Sequence, residues 1–119
     1  MNNPLTANVR SRKDQIYVID VQGDLTAQSE DTLMAAYNTA SQSGAKAIIV
    51  NFEGLDYMNS SGIGLLVTLL IRVQRQKQRL LAFGLTDHYQ QIFALTRLNE
   101  AIGIFESEDA AVTAVAAPA

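Results

Sequence analysis

The sequence predicts an α/β domain with a mixed, mainly parallel sheet of about four to five strands and about four helices. Three observations lead to this fold class: β-branched runs alternate with helix-like segments, glycine-containing turns separate them, and no repeat or linker interrupts the 119 residues. The predicted order is β-β-α-β-α-β-α-β-α. Because one domain of this size is common, we expect residues 1–119 to form a single domain with flexible ends at about 1–5 and 114–119.

The N-terminal part predicts a hairpin followed by a helix. Residues 6–12 and 15–21 are strand-like and rich in β-branched residues, with a turn at positions 13–14. Gly23 and Asp24 in "QGDLT" are typical turn residues and predict the end of the second strand. Thr26 is a candidate N-cap of the first helix, and Gly44 is the expected residue just beyond its C-terminus.

The rest of the chain alternates strands and helices. The apolar run 46–52 predicts a buried central strand. Residues 53–62 are expected to form a crossover loop, 61–78 a helix, 79–84 a strand, 87–95 a helix, 101–107 the last strand and its exit, and 108 onwards the last helix. Strands joined through helices predict parallel pairing with right-handed crossovers, while the N-terminal hairpin adds an antiparallel edge.

Composition excludes several classes of protein. The chain is 48% hydrophobic and 18% charged, with a formal net charge of −3 and no cysteine. A disordered chain is more polar, and a nucleic-acid-binding protein usually carries a basic surplus. The longest apolar run, Ile63–Ile71, is too short to span a bilayer, and no apolar leader opens the sequence. We therefore expect a cytoplasmic protein without membrane insertion or nucleic-acid binding.

The sequence contains no constellation typical of an enzyme. Residues 62–64 (GIG) lack the third glycine of a dinucleotide fingerprint, and no P-loop lysine follows them. His88 is the single histidine, and "MNSSG" is not a strained nucleophile elbow. We expect no catalytic residue, no metal site and no cofactor, since the loop acids are dispersed: Asp24, Glu53, Asp56 and Asp87.

The serine pair in "NSSG" has two interpretations. Ser60 and Ser61 follow a predicted strand and precede a predicted helix, at the sheet edge where α/β folds carry functional sites. A serine hydroxyl or the asparagine side chain just before the helix can cap its free N–H groups. Alternatively, one of the serines can carry a phosphoryl group that the helix amides and dipole would stabilise. Gly62 and Gly64 either leave the backbone bare beside the hydroxyls or allow close helix packing.

The helix after the serines is apolar on more than one face. Its expected core stripe comprises Ile63, Val67, Leu70 and either Val73 or Gln74. Further apolar residues spread around the cylinder at Leu65, Leu66, Leu69 and Ile71. Either neighbouring elements cover all of these residues, or one face meets another protein. The basic residues that follow either complement the helix dipole or contact an anionic partner: Arg72, Arg75, Lys77 and Arg79.

Three segments resemble a known family. "VQGDLTAQSEDTL", "AIIVNFEGLDYMNSSGIGLLV" and "LLAFGLTDHYQQIFALTRLNEAIGIFES" are similar to the STAS domain of stand-alone bacterial anti-sigma factor antagonists. The resemblance covers nearly the whole chain and implies a STAS-like fold and partner switching. The unphosphorylated protein would bind an anti-sigma factor that is a serine kinase of histidine-kinase-like fold. Phosphorylation of Ser60, with Ser61 as second choice, would break the complex, and a metal-dependent serine phosphatase would restore it.

The resemblance also implies which residues bind the partner. Asn59 stands where the family motif has Asp, and Thr26 stands where an acidic residue is frequent. Asparagine keeps a capping acceptor but removes a charge. Other STAS proteins serve as scaffolds in stressosomes, two-component output branches or transport complexes, so a scaffold without sigma-factor control is the alternative function, and a homodimer stays open. The implied partner-binding residues are Asp24, Thr26, Met58, Asn59, Ser60, Ser61, Gly62, Ile63, Leu65, Leu69 and Arg72.

Overall fold

A five-stranded sheet organises the computed structural model, which describes residues 3–116. The sheet order is β1-β2-β3-β4-β5, with β1 antiparallel to β2 and all later pairs parallel, which confirms the predicted topology. The elements are β1 (Thr6–Arg12), β2 (Ile16–Leu25), α1 (Glu30–Gln42), β3 (Ala47–Met58), α2 (Ser60–Arg75), β4 (Arg79–Phe83), α3 (Asp87–Leu95), β5 (Gly103–Phe105) and α4 (Glu108–Ala116), with short 3-10 helices at Ala27–Ser29 and Leu98–Glu100.

The helices cover both faces of the sheet. Residues of α1, α2 and α3 pack with one set of strand side chains, including Ile48 and Val50, in the larger core. Helix α4 covers the opposite face, where Ile49 packs against Val112. Because β3 is buried on both faces, successive side chains all meet apolar neighbours, which explains its continuous apolar run.

Strands β2 and β3 are longer than the sequence predicts. The turn expected at Gly23 and Asp24 is wrong, because β2 continues to Leu25 with irregular pairing around these residues. The crossover loop expected at 53–62 is also wrong over its first half, where β3 continues to Met58 and pairs with Leu25. Both segments contain residues typical of turns, but they form strands because each pairs with the other in the sheet.

The N-terminal segment is attached to this extended part of β2. The backbone N–H of Asp24 donates to the carbonyl of Asn3 at 2.8 Å, and the Leu5 side chain is buried. The expected flexible ends at 1–5 and 114–119 lie partly outside the described residues. Within them, Leu5 is buried, Asn3 and Pro4 are exposed, and α4 continues through residues 114–116.

A cluster of charged side chains links the N-terminal hairpin to α4. Arg10 donates from Nη2 to Asp20 Oδ1 at 2.9 Å and to Glu108 Oε1 at 2.7 Å. Arg12 also pairs with Glu108, and Asn51 donates to Asp20 at 2.8 Å. The hydrogen bonds from Arg10 lower the pKa of both carboxyl groups below their ordinary values of 3.8 and 4.5.

This cluster predicts an acid-sensitive contribution to stability. Since folding lowers the pKa of Asp20 and Glu108, the contribution is present above their ordinary pKa values and is lost as the pH falls through the lowered values. The free energy of unfolding, measured by urea denaturation, should fall less between pH 7 and pH 3 for Arg10→Gln than for wild type. Arg97→Gln, at an exposed pair with Glu100, is the control. An identical pH dependence in all three proteins would contradict the assignment.

Candidate functional site

The two long strands end at the same edge of the sheet, where α2 begins. Leu25 of β2 is the register partner of Met58 of β3, and Asn59 alone separates Met58 from the first residue of α2. The edge lies at the carboxyl ends of parallel strands, as the sequence predicts. In such folds, functional sites usually lie at this edge of the sheet.

Asn59 is the N-cap of α2. Its Oδ1 accepts the backbone N–H of Gly62 at 2.9 Å, and its own N–H donates to the carbonyl of Leu25 at 3.3 Å. Of the candidate caps, the structure therefore selects Asn59 rather than Ser60 or Ser61. Replacement of the family Asp by Asn keeps the acceptor that a cap requires.

The two serines occupy the first two helical positions, and both are exposed. Within residues 3–116, neither serine side chain makes a hydrogen bond to another residue. The first turn of α2 contains no acidic residue. Both hydroxyls therefore stand in the positive end field of the helix and are accessible to solvent.

The two glycines of the motif have different structural roles. A Cβ atom on Gly62 would lie 2.2 Å from the carbonyl oxygen and 2.9 Å from the carbonyl carbon of Leu25, so α2 can approach β2 only with glycine at this position. A Cβ atom on Gly64 would meet nothing within 4 Å. Close packing thus explains Gly62, whereas Gly64 leaves bare backbone at the surface.

The buried face of α2 differs from the predicted one. Val67 belongs to the expected core stripe but is 38% exposed, while Leu65 and Leu69 are buried at 8% and 0% exposure. These two leucines therefore fill the core between α2 and the sheet, and their expected contact with a partner stays a prediction. The full buried set comprises Gly62, Leu65, Leu66, Leu69, Leu70 and Val73.

An apolar surface remains on the other side of α2. At about 100° per residue, positions 60, 64, 67 and 71 fall within about 60° of one another. Ile71 is 43% exposed, and Ile63, two turns earlier on α2, is half-buried. We call this surface the α2 stripe: Ser60, Ile63, Gly64, Val67 and Ile71. Ser61 points about 100° away from Ser60, so only the first serine heads the stripe.

The remaining implied partner-binding residues lie at different distances from the serines. Asp24 is half-buried and pairs in register with Tyr57, directly beside the start of α2. Thr26 is half-buried before the first 3-10 helix, where its N–H donates to Ser29 Oγ at 3.0 Å. Arg72 lies twelve residues along α2 from Ser60, a rise of about 18 Å, and so belongs to the other end of the helix.

Two tyrosines belong to the site although the sequence analysis did not single them out. Tyr57 is 50% exposed at the end of β3. Tyr89 of α3 accepts the N–H of Met58 at 2.9 Å and so fixes the buried residue that precedes Asn59. Tyr57 could have been noticed as an aromatic residue beside the motif, but the contact of Tyr89 depends on packing between distant segments.

Comparison with known proteins defines the family. A family model described as STAS domain matches residues 9–111. The chain belongs to the STAS-domain family. This STAS domain is 28% identical over 97 residues to the anti-sigma-B factor antagonist of Staphylococcus aureus strain NCTC 8325, covering 82% of the chain and 90% of that relative. Anti-sigma factor antagonists are non-enzymatic regulators, in agreement with the expectation that the chain is not an enzyme.

Solved structures share the fold of this STAS domain. An anti-sigma factor antagonist from Mycobacterium paratuberculosis superposes with a TM-score of 0.79 at 18% identity, covering 93% of each chain. The Bacillus cell fate determinant SpoIIAA in its phosphorylated form gives a TM-score of 0.71 at 23% identity, covering 92% of this chain and 99% of SpoIIAA. These similarities confirm the predicted STAS-like architecture.

The chemistry available at the site is that of exposed hydroxyl, backbone and apolar groups. No group of three or more His, Cys, Asp or Glu residues within the described range could hold a metal ion. No helix in residues 3–116 is long and apolar enough to cross a membrane. The edge instead combines an exposed hydroxyl, a capped helix N-terminus and an apolar surface, which suits recognition of another protein.

Proposed function

We propose that the protein is an anti-sigma factor antagonist that acts by partner switching in the cytoplasm. The unphosphorylated form binds an anti-sigma factor, a serine kinase of histidine-kinase-like fold, and thereby releases the sigma factor. Phosphorylation of Ser60 ends binding, and a metal-dependent serine phosphatase restores it. Family membership and the similarity to anti-sigma-B factor antagonists support this proposal.

One observation carries the choice of Ser60: it is exposed at the head of the α2 stripe while Asn59 performs the capping. A phosphoryl group on Ser60 brings between about −1.5 and −2 charges to the end of an apolar contact surface. Desolvation of that charge opposes docking, and the helix amides stabilise it in the free protein. The existence of a phosphorylated form of SpoIIAA supports modification of a protein of this fold.

Phosphorylation by the cognate anti-sigma kinase should add one phosphate to the chain. Incubation with the kinase and ATP, followed by peptide mass spectrometry, should locate that phosphate on Ser60. Ser60→Ala should lose it, whereas Ser61→Ala, the matched control one residue away, should retain it. Equal phosphorylation of wild type and Ser60→Ala would overturn the site assignment.

A second candidate function is a STAS scaffold that binds without phosphate control. The observation that favours it is the exposed apolar surface at Val67 and Ile71, which needs no modification to associate. Val67→Glu should then dissolve an oligomer seen by light scattering. Leu95→Glu, at a leucine 84% exposed on α3, is the matched control. A wild-type monomer at all concentrations would exclude self-association as the scaffold's mode of assembly.

A further inference from the structure

A polar groove lies between the C-terminal halves of α1 and α2. It encloses about 350 Å³, and no acidic side chain lines it. Amide and hydroxyl groups from α1 form one wall, and two guanidinium groups from α2 form the other. The lining includes Tyr37, Asn38, Ser41, Gln42, Arg72 and Arg75.

The two arginines have no carboxylate partner in residues 3–116. The ion pairs of this range are made by Arg10, Arg12 and Arg97, while Arg72 and Arg75 are exposed and belong to none of them. A cation in the last helical turn stabilises the helix end by interacting with the helix dipole. That effect explains why a basic residue stands at the end of α2. It does not explain why hydrogen-bonding groups of α1 line the groove opposite the two arginines.

The groove adjoins the end of the α2 stripe at Arg75. Arg75 follows Ile71 by one helical turn and lies about 40° from it around the helix axis. A protein that covers Ile71 therefore also reaches Arg75 at the end of α2 opposite to Ser60. Arg72 lies about 100° from Ile71, on the side of the helix that faces α1 across the groove. Guanidinium groups offer several N–H donors in a planar arrangement that matches a carboxylate. Charge complementarity thus points to acidic side chains on the covering protein.

We propose that the groove receives carboxylate side chains of the protein partner, so that the partner meets α2 with an apolar face and an acidic end. The inference rests on the proposed function for the identity of that partner. Docking then has two separate parts: apolar contact along the α2 stripe, which phosphorylation of Ser60 opposes, and ion pairing with Arg72 and Arg75, which sets orientation and association rate.

The groove can be tested without the partner by nuclear magnetic resonance. The ¹⁵N-labelled full chain is titrated with hexaglutamate, hexaglutamine or inorganic phosphate at matched ionic strength. Hexaglutamate should shift the signals of Asn38, Ser41 and Arg72, and hexaglutamine should not. The double variant Arg72→Glu/Arg75→Glu should weaken hexaglutamate binding at least fivefold.

A charge-matched variant controls for net charge. Lys13→Glu/Lys46→Glu changes two exposed lysines outside the groove and should retain hexaglutamate binding within twofold. Absence of shifts, or equal weakening by both double variants, would overturn the proposal. An equal response to phosphate and hexaglutamate would mark a small-anion site and would overturn it as well.

Binding to the anti-sigma factor separates this inference from the proposed function. Arg72→Glu/Arg75→Glu should weaken that complex at least tenfold in about 50 mM salt, and the difference should shrink at high salt because ions screen the charges. If Ser60 is phosphorylated but the double variant binds the anti-sigma factor as tightly as wild type, the groove proposal alone is overturned. If hexaglutamate binds in the groove but the kinase does not phosphorylate Ser60, the proposed phosphorylation switch alone is overturned.

Discussion

Ser60→Asp should weaken the complex with the anti-sigma factor by about 2 kcal/mol or more, a loss of about 30-fold in Kd. The carboxylate would stand at the head of the α2 stripe, where docking removes it from water. The stability of the folded protein should not decrease, because a negative charge in the first helical turn is favourable by a few tenths of a kcal/mol. Calorimetric titration and thermal unfolding of the same preparations measure the two effects separately.

Ser61→Asp is the matched control for this result. It carries the same charge one residue later, but its side chain points about 100° away from the stripe. Its Kd should stay within about fivefold of wild type. Equal affinity of Ser60→Asp and wild type would remove the electrostatic mechanism, and an equal loss for both variants would remove the distinction between the serines.

Gly62→Ala should destabilise the protein by about 3 kcal/mol. The new methyl group would lie 2.2 Å from the Leu25 carbonyl oxygen, and both clashing atoms of Leu25 belong to the backbone of β2. The helix start must then move away from the sheet, which also disturbs the cap made by Asn59 on the Gly62 N–H. Urea denaturation measures the loss.

Gly64→Ala provides the opposite expectation in the same helix. No atom within 4 Å obstructs the added methyl group, and alanine is about 0.5–1 kcal/mol better than glycine inside a helix. This variant should therefore be more stable than wild type. A similar change in unfolding free energy for both variants would contradict the different roles assigned to the two glycines.

The predicted element order is confirmed, since each strand and helix carries its own local signal. The end of the first helix is a good example: Gly44 has φ +91°, the left-handed conformation that glycine adopts most readily. The extension of β3 from residue 53 to Met58 was not predicted, because Gly54 and Asp56 are typical of loops. Only pairing with β2, a segment far away in sequence, makes this stretch a strand.

The candidate site divides in a similar way. The motif "NSSG" and its position between a strand and a helix could be recognised from sequence, and family resemblance selected Ser60 for phosphorylation. The cap could not be assigned to one residue, because Asn59 and both serines have suitable side-chain oxygens. The hydrogen bond from Gly62 to Asn59 resolves the choice.

The sequence by itself determined the fold class, the family and the segment that holds the serines, because these depend on local patterns of residue type. Tertiary structure alone decided which face of α2 is buried. Apolar residues surround most of that helix, so periodicity could not separate Leu65 and Leu69, which the sheet covers, from Val67 and Ile71, which it leaves exposed. The close approach of Gly62 to Leu25 fixes the rotation of α2 and so directs Ser60 and the α2 stripe outward.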